Sequence, residues 1–185
     1  MARNEMSPAR QPNHAKRQRY AAAFKRIEEA RAAGFAIEAI MICESVNTDR
    51  LVSYFVRLRE VGGEVPNRDV RKTLEGASDG DEGKHVATSR LVQALEALFD
   101  DLGEERFADL PGRLRRWVRD RNRAAHAFVR THPFTKAYRE PLEAFVERLD
   151  ACAATGTELA RTLDTWTRRK GAVPVQPLVR ARWDR

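Results

Sequence analysis

Residues 142–166 read LEAFVERLDACAATGTELARTLDTW, and Leu142, Phe145, Leu149, Cys152, Gly156, Leu159, Leu163 and Trp166 recur within them by threes and fours. That spacing keeps one small or apolar side chain per turn on a single face of an α-helix, whereas a strand would require alternation. The stretch therefore predicts a long helix, with Pro141 in its first turn. A seam of this length either closes a bundle or pairs with a second chain. Gly156 within it costs helix stability of about 1 kcal/mol relative to alanine, which is tolerable where it permits two helices to approach closely.

Working outward, every other periodic segment is also helical. Tyr20, Phe24 and Ile27 open a first helix that stops near Gly34, and a second runs from about Phe35 to Val61. Residues 62–86 break the order with Gly62-Gly63, Pro66 and the polar run Ser78 to Gly83, and leave room for a short helix between Asn67 and Leu74. Another helix spans about Ala87 to Leu102, with Leu91, Val92, Leu95, Leu98, Phe99 and Leu102 inward. Pro111 fits the first turn of the next, which ends before His132-Pro133. The expectation is an all-α, antiparallel bundle of about five helices over residues 20–170, preceded by a disordered basic arm at 1–19 and followed by an extended, proline-bearing tail at 171–185. No internal repeat, glycine-rich phosphate loop, nucleophile elbow or strand-forming run is present in the sequence, so the enzyme classes built on them have no support.

Composition narrows the partners. The chain has 185 residues, 34 Lys+Arg against 27 Asp+Glu and a net charge of +7, a balance suited to a polyanion. Cys43 and Cys152 lie on apolar helix faces without a C-x-x-C spacing or a neighbouring histidine, and read as small core residues in a reducing compartment rather than as zinc ligands or a disulfide. The acidic run Asp79, Asp81 and Glu82 with His85 matches no metal-loop spacing and reads as a solvated loop. No metal or cofactor is expected, and the lack of a signal core or membrane-length apolar run points to a cytoplasmic protein with no membrane contact.

Two charges sit where a core residue is expected. Taken at roughly 100° per residue, Leu114, Trp117, Val118, Ala124, Ala125 and Phe128 form one stripe with Arg121 near its centre. Likewise Glu44 falls within the stripe of Ile37, Ile40, Met41, Thr48, Leu51 and Phe55. An unpaired buried charge is expensive, so the two are expected to face one another across the core. Asn122 and His126, four apart, share the next face of the same helix, with small Ala124 and Ala125 leaving room beside the imidazole.

The segment Arg121-Asn122-Arg123-Ala124-Ala125-His126 resembles the R-N-x-x-A-H signature of the HEPN superfamily (higher eukaryotes and prokaryotes nucleotide-binding), all-helical proteins that include many metal-independent ribonucleases. The earlier helix, Ala36 to Glu44 and on through Leu58, looks like the second helix of such domains, with its acidic residue inside an apolar face. The resemblance implies Arg121, Asn122 and His126 as catalytic residues, Glu44 as the support of Arg121, and Arg119 and Arg123 as contacts to substrate backbone. It implies RNA as partner and a homodimer in which the two motifs meet in one cleft. A toxin or phage-defence role, with an antitoxin or other regulatory protein, also comes from the family. Members modified by a nucleotidyltransferase antitoxin carry a tyrosine two residues after the histidine, where this chain has Phe128. Two other classes stay open on the same residues: a catalytically silent nucleotide- or RNA-binding module, and an interaction bundle in which Arg121 and Glu44 only fix helix register.

Overall fold

The computed structural model describes residues 11–77, 86–102, 105–129 and 141–170, and all its regular structure is helical. Six helices are described: α1 (Gln11–Ala32), α2 (Ala36–Glu60), α3 (Arg68–Ala77), α4 (Thr88–Leu102), α5 (Leu110–Val129) and α6 (Leu142–Lys170). The sixth beyond the expected five is the short α3, whose start is capped by the Asn67 side chain accepting from the amides of Asp69 and Val70 at 3.0 and 3.1 Å. Helix α1 begins at Gln11 rather than Tyr20, so residues 11–19, expected to belong to a disordered arm, are helical. Lys16 explains part of the extension, reaching Asp49 on α2 at 3.0 Å. Residues 1–10, the Ser78–Gly83 run with His85, and the tail at 171–185 lie outside the described residues.

Glycine ends the first two helices as the sequence requires. Gly34 and Gly62 have φ of 80° and 78°, and in each case the next residue's amide bonds back to the sixth residue of a closing loop: Phe35 to Ala30 at 2.7 Å, Gly63 to Leu58 at 2.8 Å. The glycine amides bond to Arg31 and Arg59 at 3.0 and 2.8 Å, completing the Schellman arrangement that satisfies the last carbonyls. Pro111 lies in the first turn of α5 as expected, whereas Pro141 stands one residue ahead of α6 and offers its carbonyl to Phe145 at 3.0 Å.

Helix α2 is the axis of the molecule, packed on α1, α4, α5 and α6. Pairings such as Cys43 with Thr157 and Tyr54 with Trp166 show that α2 and α6 run parallel. Successive neighbours run antiparallel, as Lys16–Asp49 with Arg26–Glu38 show for α1 and α2, and Arg113–Glu158 with Trp117–Cys152 for α5 and α6. At the centre Gly156 lets three helices touch: a Cβ there would come within 2.8 Å of the Trp117 ring and 2.9 Å of the Cys43 Cβ. The α6 seam is spent inside the chain, with Leu149, Cys152, Leu159, Leu163 and Trp166 all buried and only its first turn open, Leu142 being 70% exposed. Of the two uses such a seam allows, closing the bundle is the one that consumes it from Leu149 onward.

Candidate functional site

Arg121 on α5 donates through Nη2 to Oε1 of Glu44 on α2, the cross-core pairing expected from the two wheels. The carboxylate has a second donor that the sequence did not suggest: Thr88, the first residue of α4, gives its hydroxyl to the same Oε1 at 3.1 Å and shares a 2.8 Å bond with the Thr48 hydroxyl. Three helices thus converge on one carboxylate oxygen, and the positive end of the α4 dipole adds to its attraction. Both cysteines are buried and free. Burial pushes the Cys152 thiol up to about 11 and raises Cys43 as well, which suits packing rather than nucleophilic use.

The pair lies at the rim of the core rather than in its middle, with side chains 19% exposed for Arg121 and 31% for Glu44. The reason is on α2. Because four helices surround it, its buried face is broad and centred near Cys43 and Asn47, so Glu44 stands roughly a fifth of a turn off-centre, and Met41, placed in the same stripe from sequence, is 63% exposed. Ala125, also placed inward, is exposed, while Ala124 is 1% exposed; the Phe128 side chain lies outside the described residues. Arg121 Nε is buried and bonded to nothing among the described residues, so Glu44 grips the guanidinium at one corner instead of by a fork.

Beside this anchored arginine, Asn122 is half-buried and His126, in the last turn of α5, is exposed with no side-chain partner among the described residues. Arg119 is exposed, and Arg123 is exposed and 3.6 Å from Asp120. Helix α5 therefore carries three surfaces: a buried one with Arg121 at its rim, a polar one bearing Asn122 and His126, and a basic one facing α6. On that third side Arg113, Arg116, Arg123 and Arg148 line a groove of about 400 Å³ floored by Trp117, Ala124 and Cys152. Of the residues expected to act, only Arg123 lines it. Neither protein families, characterised proteins nor solved structures give a match to this chain. Among the described residues no group of three or more His, Cys, Asp or Glu is placed to hold a metal ion, and no helix is long and apolar enough to cross a membrane.

The sequence reading also missed Arg50. It is 7% exposed, bonded to Asp164 of α6, and stacked over the Tyr20 ring at 4.2 Å. Tyr20 in turn bonds to Asp49, and burial together with that carboxylate drives its phenol well above the usual tyrosine range. The signal was available, since Ala36, Ile40, Cys43, Asn47, Arg50, Tyr54 and Leu58 recur by threes and fours and all are buried.

Proposed function

We propose that this chain is a metal-independent endoribonuclease that cleaves RNA by attack of the 2′-hydroxyl on the adjacent phosphorus. The observation that carries the reading is an arginine fixed by a carboxylate from another helix, one residue from Asn122 and five from an exposed histidine. In the step, a base takes the 2′-hydroxyl proton, the 2′-oxygen bonds to phosphorus, and the 5′-oxygen leaves with a proton from an acid; the products are a 2′,3′-cyclic phosphate and a 5′-hydroxyl. His126 serves one of the two proton transfers. Arg121 meets the extra negative charge on phosphorus, and Asn122 orients the ring or a phosphate oxygen. Because each chain brings one such histidine, the acid and base come from two chains in a homodimer, with Arg119 and Arg123 extending the basic surface. The resemblance adds a toxin or phage-defence role regulated by a partner protein, and the reading of Cys43 and Cys152 as thiols of a reducing compartment adds a cytoplasmic setting.

The decisive assay is cleavage of single-stranded RNA in excess EDTA. Wild type should cut, and His126→Ala should lose roughly 10²–10⁴-fold in rate with an unchanged helical spectrum. Cleavage that survives the substitution, or that requires added divalent metal, rejects the reading. A second reading, RNA binding without cleavage, is favoured by the arginine-lined groove between α5 and α6, which lies off the His126 face. It predicts binding by wild type and His126→Ala alike, with no cyclic-phosphate product from either.

A further inference from the structure

The α5–α6 groove has a chemistry of its own. Its lining sets four guanidiniums, Arg113, Arg116, Arg123 and Arg148, against the one carboxylate of Asp120. Internal contacts account for part of that charge: Arg113 is 2.6 Å from Glu158, Arg123 is 3.6 Å from Asp120, and the Arg148 guanidinium lies over the Phe145 ring at 5.2 Å. Arg116 is exposed and pairs with nothing among the described residues, and its helix carries six arginines against one aspartate. The arginines do not converge on a point. Arg113 and Arg123 are ten residues apart along α5, about 15 Å at the helical rise, which suits a run of phosphates better than a single one. The floor cannot take a stacked base, because Trp117 is 1% exposed and its Nε1 already donates to the Cys152 carbonyl at 2.9 Å. With no aromatic face on offer, the arginines make the charged backbone the main hold on a ligand here.

The geometry points to the α5–α6 groove as a sequence-independent seat for the phosphodiester backbone of single-stranded RNA, which feeds the strand over Arg123 and Arg119 to His126. This takes RNA as substrate class from the proposed function and adds where the strand outside the scissile bond lies. The route is short: His126 follows Arg123 by three residues, about a sixth of a turn round the helix, and Arg119 falls between them on the wheel. Backbone contact without stacking means affinity that falls steeply with salt and varies little with base sequence.

The test uses a fluorescently labelled 2′-O-methyl RNA twelve-mer, which lacks the attacking hydroxyl, so anisotropy reads binding without cleavage. Arg116→Ala/Arg148→Ala should bind roughly tenfold more weakly. Its slope of log affinity on log salt should be shallower by about 1.4, at about 0.7 per lost phosphate contact. Arg17→Ala/Arg68→Ala removes the same charge from exposed positions on α1 and α3 and should stay within about twofold of wild type. Should the double groove variant fold poorly by circular dichroism, Arg116→Ala decides alone with half the slope change, since this exposed, unpaired side chain supports nothing. Equal losses in groove and control variants, unchanged groove-variant binding, no saturable binding by wild type, or equal displacement by polyglutamate would overturn the groove assignment. Groove-dependent binding without cleavage of ordinary RNA would remove the ribonuclease reading and leave the groove; cleavage with groove-independent binding would do the reverse.

Discussion

Arg50 and Arg121 are both drawn into helix interfaces by carboxylates, and they differ in what stands beside them. Arg50 is enclosed: Asp164 takes its charge, the Tyr20 ring covers its face, and Asp164 also holds Arg168 at 2.9 Å. Arg121 is gripped at one corner and adjoins an open polar face. Asp164→Asn should therefore lower stability, by about 3 kcal/mol for a nearly buried guanidinium left without its counter-charge, and leave RNA cleavage per folded molecule unchanged. Glu44→Ala should cost less, about 1–3 kcal/mol, because the pair lies at the rim between the buried and exposed limits. It should nevertheless reduce cleavage strongly, since Arg121 is then free to swing away. Arg121→Lys should behave like Glu44→Ala in activity, a point charge being a poor substitute for a planar donor at phosphate. Urea melts paired with cleavage rates separate the two arginines; a stability loss in Glu44→Ala without any activity loss would make Arg121 as structural as Arg50.

At the scale of the helices, Gly156 is the tightest junction. Alanine is the better helix former by about 1 kcal/mol, yet its methyl would meet a Trp117 ring pinned by a hydrogen bond and the Cys43 Cβ, both under 3.0 Å. Overpacking typically costs about 1–3 kcal/mol, so Gly156→Ala should lower stability by about 1–2 kcal/mol, or several degrees in Tm. A rise in Tm would show that the helices separate easily at this point. The close approach was legible in the sequence because a glycine interrupting so regular a seam has few other uses. Helix ends at Gly34 and Gly62 were legible for the same local reason, and so was the Glu44–Arg121 pairing, because two opposite charges in apolar stripes demand each other. Burial of Arg50, the Thr88 bond to Glu44, and the α5–α6 groove were not, since each depends on which helix faces which. Another such contact joins Arg31 to Asp150, where two bonds of 2.7 and 2.8 Å tie α1 to α6. Arg31 beside it holds the Asp150 carboxyl below the usual carboxylate range. A depressed folded-state pKa stabilises above the unfolded value and is lost as pH falls through the folded one. Asp150→Asn should thus cost under about 1 kcal/mol at pH 7, the pair being partly exposed, and the difference from wild type should vanish as pH drops below the ordinary carboxylate range. A gap that persists at acid pH would assign the cost to packing instead.

For the molecule as a whole, the question is whether one chain is a complete catalyst. The α6 seam no longer argues for a partner, because α1, α2 and α5 of the same chain pack on α6 and its apolar positions from Leu149 onward are buried. The proposed cleavage itself still calls for one: it needs proton removal and proton delivery at opposite ends of the phosphorane, and α5 offers one exposed histidine, His126. Two chains related by a two-fold axis would place two copies of His126 and Arg121 around one phosphate. Light scattering at micromolar concentration should then give about twice the mass of one chain. Mixing inactive His126→Ala with inactive Arg121→Ala chains should restore cleavage only if a shared site can take its histidine from one chain and its arginine from the other. The dependence of specific activity on dilution gives the same answer from another side: a site built across two chains loses activity below the dimer dissociation constant, while a self-sufficient chain does not. A monomer that cleaves RNA at undiminished rate on dilution would remove the shared cleft, assign the second proton transfer to water or another side chain, and leave the role of His126 intact.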